Sequence, residues 1–166
     1  MVQPRPILAK VREALFSSLG DRVGDAIFLD LYAGTGRCGI EALKRGARTA
    51  IFVEKNRVTA ERLIKLVGEL GFGEKARVLK QDVFSAIRKL KEQFDLIFLG
   101  PPYKDFLVNK TLEAIALSGI LNSEGIIIAE HHKKEAVKDK IQSFVRAKEK
   151  RYGETTLSFY VYGNEK

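Results

Sequence analysis

Residues 28–43 read FLDLYAGTGRCGIEAL, and this stretch decides the fold. An apolar, β-rich run from Phe28 to Tyr32 breaks into Ala33-Gly34-Thr35-Gly36-Arg37-Cys38-Gly39, and a helical pattern follows. A G-x-G-x-x-G turn between a strand and a helix lets backbone approach a ligand at a helix N-terminus. Glu54, at the end of the next apolar run, is placed to accept hydrogen bonds from a ribose diol at the switch point of a parallel sheet. Together the glycines and the acid point to an adenosine-containing ligand.

Working outward, the chain alternates short apolar runs with helical segments. The runs are Ala26 to Tyr32, Thr49 to Val53, Ala76 to Lys80, Phe94 to Leu99 and Ile120 to Ala129. Periodicity predicts helices over Ile7 to Leu19, Cys38 to Arg45, Asn56 to Leu70, Val83 to Lys91, Phe106 to Leu117 and Lys134 to Phe144. Repeated βα units predict a mainly parallel sheet with helices on both faces. Near the end, Val145 to Arg151 and Thr155 to Tyr162 flank Tyr152-Gly153-Glu154 and predict a hairpin, hence an antiparallel edge strand.

At 166 residues, 45% hydrophobic and 30% charged, the chain has the profile of one folded domain covering 1–166. One cysteine, Cys38, allows no internal disulfide and no zinc thiolate cluster, and no run approaches the roughly 20 apolar residues of a membrane span. The expectation is a cytoplasmic protein with no membrane contact and no metal; His131 and His132 read as a solvated loop before a Lys-rich helix. A net charge of +8 favours an anionic partner such as RNA or DNA over a merely solubilising surface.

Two residues separate the ligands that an adenosine site could take. A nicotinamide dinucleotide needs room for pyrophosphate where Asp30 stands, whereas a carboxylate there suits the ammonium of S-adenosylmethionine. Asp82 is placed to meet an adenine amine, and also reads as a helix N-cap. The cofactor site therefore takes in Asp30, Tyr32, Ala33, Gly34, Thr35, Gly36, Glu54, Lys55, Asp82 and Val83. The fourth apolar run ends at Gly100-Pro101-Pro102-Tyr103, where two prolines can continue neither a helix nor a central strand, and delivers that rigid platform to the same sheet edge.

Pro-Pro-Tyr after the fourth strand resembles the D-P-P-Y or N-P-P-Y motif of methyltransferases that act on exocyclic amines of nucleic-acid bases. More narrowly, Arg5-Pro6, Val11 to Phe16, Leu31 to Gly36, Gly39 to Leu43, Arg45-Gly46-Ala47 and Phe52-Val53-Glu54 resemble the RsmD-type family, over nearly the whole chain. The resemblance implies a Rossmann-like class I methyltransferase fold, with a seven-stranded, mostly parallel sheet whose last strand is antiparallel. It implies S-adenosyl-L-methionine as cofactor and methylation of guanine N2 in 16S ribosomal RNA, the partner being that RNA within a small-subunit particle and the protein a monomer.

By the same resemblance Gly100, Pro101, Pro102 and Tyr103 form the catalytic motif, with Tyr103 stacking on a flipped base. Arg5, Lys10, Arg12, Tyr103 and Lys104 are the expected RNA contacts, and residues 1–20 form a helical segment near the site. The motif's first residue ordinarily supplies an acceptor side chain. Gly100 leaves only backbone carbonyls, which leaves three readings open: a slow enzyme relying on those carbonyls, a binding protein that has lost catalysis, or a position altered from the natural residue; with the rest of the site intact, Gly100→Asp is predicted to raise turnover. The alternatives are an adenine-N6 methyltransferase of DNA or RNA, and a non-catalytic RNA-binding or ribosome-assembly protein that keeps the cofactor fold.

Overall fold

The computed structural model describes residues 8–164. Five parallel strands carry the frame: β1 (Ile27–Leu31), β2 (Thr49–Val53), β3 (Ala76–Leu79), β4 (Phe94–Leu99) and β5 (Leu121–His132). They alternate with α2 (Arg37–Lys44), α3 (Arg57–Glu69), α4 (Val83–Lys89) and α5 (Val108–Ser118), and α1 (Ala9–Leu19) precedes them. The chain closes with β6 (Lys140–Ile141), β7 (Phe144–Tyr152) and β8 (Thr155–Tyr162). Strand order across the sheet is β3-β2-β1-β4-β5-β8-β7-β6. Because the order reverses between β1 and β4, a crevice opens beyond their carboxyl ends.

Strands buried on both faces explain why the apolar runs are nearly continuous. One face of the sheet packs Phe28, Phe52, Leu96 and Ile128 against Val11, Leu15 and Phe16 of α1 and Leu63 of α3. The other packs Leu31, Ile97 and Ile127 against Ile87 of α4 and Leu112 and Ile115 of α5. Val11, Leu15 and Leu19 sit at the i, i+4, i+8 spacing that gives α1 its buried stripe, while its exposed Lys10 faces outward.

Three expectations need correction. The class I architecture is present, but among the described residues the sheet has eight strands, the addition being the two-residue β6. The closing hairpin does not end at an edge: β8 lies inside the sheet, antiparallel to both β5 and β7, and Thr155 to Tyr160 are buried on it.

No helix covers 134–144. Val137, Ile141 and Phe144 have helical spacing, which is why the segment reads as a helix, yet they pack on the core as an extended strap. Its backbone polar groups are met from outside. Asn109 donates to the Ala136 carbonyl at 2.9 Å and accepts from the Lys138 N–H at 3.0 Å, and the Tyr160 hydroxyl donates to the Lys138 carbonyl at 2.8 Å. Gln142, at φ 51°, then turns β6 tightly into β7.

Candidate active site

The glycine loop is built by packing as much as by freedom of the chain. Gly36, the N-cap of α2, has φ 78°, and a Cβ there would lie 2.3 Å from Leu63 Cδ1. At Gly39 a Cβ would fall 2.2 Å from the Phe52 ring. Both glycines press α2 onto β2 and α3, and Gly36 does not face the crevice. Gly34 does: its N–H donates to Glu54 Oε1 at 2.8 Å, and open space lies where a side chain would be.

Four acids converge on this edge. Asp30 is 1% exposed, accepts the Gly39 N–H at 2.9 Å, and is pushed up to about 8 by burial, with the Glu54 charge adding to the rise. Glu54 is tied at both oxygens, the second accepting the Asn56 N–H at 2.8 Å. Asp82 caps α4, accepting the Ser85 N–H at 3.1 Å, and stays exposed on the crevice wall. Glu130, at the end of β5, is 3% exposed and faces the same space.

These residues line one cavity of about 720 Å³, within the range that small-molecule sites occupy, roughly 300–1,000 Å³. Asp30, Tyr32, Ala33, Gly34, Thr35, Glu54, Lys55, Asp82 and Val83 border it, together with Gly100, Pro101, Pro102, Tyr103 and Lys104. The expected cofactor residues and the Pro-Pro-Tyr platform thus meet in one hollow, Gly36 excepted. A second hollow of about 230 Å³ sits at the opposite, amino edge beside Asp25 and Asp95.

The donor set fits S-adenosylmethionine: a buried carboxyl that could hold an ammonium, a rim carboxylate beside a glycine loop for ribose hydroxyls, and Val83 and Phe84 beside Asp82 as a wall for an adenine ring. Tyr32, at φ 60°, contributes its ring; its phenol is held by the Thr111 hydroxyl at 2.7 Å, and burial pushes it up to about 12. The Cys38 thiol is buried and driven upward by burial and by the Asp30 and Glu130 charges, which keeps it an inert packing group.

Tyr103 opens a short 3-10 turn, its hydroxyl 2.7 Å from Thr155 Oγ1 on β8 and its ring edge-on to His132 at 5.6 Å. The histidines therefore do not form a solvated loop. Both belong to β5; His131 is 2% exposed, bonded to the Ser158 hydroxyl at 2.8 Å, and burial lowers its basicity. His132 braces Tyr103 and pairs with Glu154 at 2.9 Å. Arg12 stands 4.0 Å from Glu41, and its charge reaches Cys38 at the start of α2. Lys10 and Lys104 are exposed, and Arg5 lies outside the described residues.

A family described as Conserved hypothetical protein 95 matches residues 2–161. YlbH of Bacillus subtilis, a provisionally named rRNA methyltransferase, is 31% identical over 94% of this chain and 86% of its own length. The Ribosomal RNA small subunit methyltransferase D of Escherichia coli K12 is 34% identical over 76% of this chain, and the match spans 63% of that protein. The solved structure of yhhF from Escherichia coli, a provisionally assigned methyltransferase, superposes with a TM-score of 0.86 at 30% identity, covering 95% of this chain and 87% of that one.

Proposed function

Since this chain belongs to the Conserved hypothetical protein 95 family, the RsmD-type S-adenosylmethionine-dependent methyltransferases, we propose that it methylates the exocyclic N2 amine of a guanine in small-subunit ribosomal RNA. The observation that carries the reading is the single cavity in which the Asp30–Glu54–Asp82 acids face the Pro-Pro-Tyr platform. When bound, S-adenosylmethionine supplies an electrophilic methyl group on a sulfonium sulfur.

The chain's own residues hold and orient the reactants. Asp30 would hold the methionine ammonium, and Glu54, whose Oε1 accepts the Gly34 N–H, would accept from the ribose diol. Asp82 would accept from the adenine amine, with Val83 and Phe84 beside it on the cavity wall. The nucleophile is weak because the lone pair of a purine amine is delocalised into the ring. Rigid Pro101 and Pro102 hold backbone acceptors beside that amine, and Tyr103 stacks on a base taken out of its helix. His132 and Thr155 brace the tyrosine so that little freedom is lost on stacking.

Lys104 borders the cavity, and with Lys10 and Arg12 of α1 it attracts the phosphate backbone, in keeping with the +8 charge. The protein acts as a cytoplasmic monomer on RNA within the small-subunit particle; no helix among the described residues is long and apolar enough to cross a membrane. The test is incorporation of methyl label from S-adenosylmethionine into 16S RNA, offered naked and as small-subunit particles lacking the modification. Label in the RNA supports the reading; a protein that binds the RNA and the cofactor yet transfers nothing is an assembly factor instead.

A further inference from the structure

A purine amine attacks well only when an acceptor takes one of its N–H groups as the nitrogen pyramidalises, and Gly100 has no side chain to offer. The structure places another group there. In the β4–β5 register Leu99 lies opposite Ala129, so Gly100 and Glu130 are the next neighbours across the two strands. Strand alternation turns both toward the face that carries Phe98 and Ile128. A Cβ on Gly100 would lie 3.0 Å from Glu130 Oε1 and 3.2 Å from the Phe98 ring, so the glutamate already fills the volume that an acceptor side chain at position 100 would need. Glu130 is 3% exposed and borders the cavity with Pro101 and Pro102.

We propose that Glu130 is a catalytic residue, the acceptor that β5 supplies in place of a side chain on β4. The inference rests on the methyltransferase reading above. The carboxylate accepts one N–H of the target amine. As the nitrogen lone pair becomes the new N–CH3 bond, the bond from that methyl to sulfur breaks, its electron pair staying on sulfur. The proton shed by nitrogen passes to Glu130 and then to water. The same geometry reverses the expected benefit of Gly100→Asp, since the new side chain would crowd Phe98 and set a second carboxyl against Glu130.

The test compares wild type, Glu130→Gln, Glu130→Ala, Gly100→Asp and the double variant Gly100→Asp/Glu130→Ala. Three quantities are read: single-turnover transfer to unmodified small-subunit particles, calorimetric affinity for S-adenosylhomocysteine, and melting temperature. Glu130→Ala should slow transfer about 100-fold and the isosteric Glu130→Gln about tenfold, with affinity for S-adenosylhomocysteine within about threefold of wild type. Gly100→Asp alone should melt lower and transfer more slowly than wild type. The double variant should recover at least tenfold over Glu130→Ala, and regain melting temperature over Gly100→Asp.

Wild-type transfer rates in Glu130→Ala would overturn the inference and leave the methyltransferase reading standing. A loss of S-adenosylhomocysteine affinity equal to the loss of rate would also overturn it, placing Glu130 on the cofactor instead of the amine. A wild-type protein that transfers no methyl group to any small-subunit RNA overturns both together.

Discussion

Asp30→Asn tests the electrostatics of the site without touching its shape. The carboxyl is fully enclosed, and burial lifts it from an ordinary 3.8 to about 8. Between those two values it keeps its proton in the folded chain and loses it in the unfolded one, so folding takes up a proton. Stability from this group is fully present below about pH 4, falls by up to about 1.4 kcal/mol per pH unit as pH rises, and levels off above about pH 8. The full loss is on the order of 5 kcal/mol. Asparagine keeps the acceptor for the Gly39 N–H and does not titrate, so its own cost, an amide seeking a partner, is constant with pH. Unfolding in urea, followed by far-ultraviolet circular dichroism at pH 5, 6 and 7, should show the variant gaining on wild type by roughly 3 kcal/mol across that span. The same variant should bind S-adenosylmethionine at least tenfold more weakly, a stabilised site that has lost its ammonium partner. Parallel stability curves for the two proteins would refute the argument that Asp30 is held as a neutral acid.

Gly39→Ala should cost about 1–3 kcal/mol in chemical unfolding, because the new methyl meets the fully buried Phe52 ring. Removing Glu54 as an acceptor, by Glu54→Ala, should weaken S-adenosylmethionine binding tenfold or more in calorimetry, and unchanged affinity would take Glu54 out of the site. Charge reversal at Lys10 and Arg12, on α1, should weaken RNA binding more than reversal at Lys138 and Lys140, which lie on the strap at the far edge of the sheet. A filter-binding salt series checks this, and equal losses would make the basic surface a general solubilising feature.

What the sequence made legible follows from locality. The glycine turn, Glu54, Asp82 and Pro-Pro-Tyr each sit within a few residues of a strand end, where chemistry and backbone are read together, and all of them reach one cavity. β1, β2, β4 and the later part of β5 were legible because strands buried on both faces are nearly uniform in apolarity, whereas the edge strand β3, with no fully buried residue, was legible only from its place in the βα alternation. Contacts distant along the chain were not. Gly36 reads as a ligand contact until Leu63 is found against it, and Glu130 reads as the residue before two histidines until β5 is laid beside β4. The strap over 134–144 shows the limit of periodicity, since Val137, Ile141 and Phe144 serve an extended segment as well as a helix once Asn109 and Tyr160 satisfy its backbone. The central place of β8 was hidden for a related reason: a hairpin defines which strands pair, and not which of them finds a third neighbour.

The most direct test of the account is the chemical identity of the methylated nucleoside. Small-subunit particles lacking the modification are incubated with the protein and methyl-labelled S-adenosylmethionine, the RNA is digested to nucleosides, and the labelled product is identified by mass spectrometry. The account predicts N2-methylguanosine at a single position of 16S RNA; labelled N6-methyladenosine would contradict it.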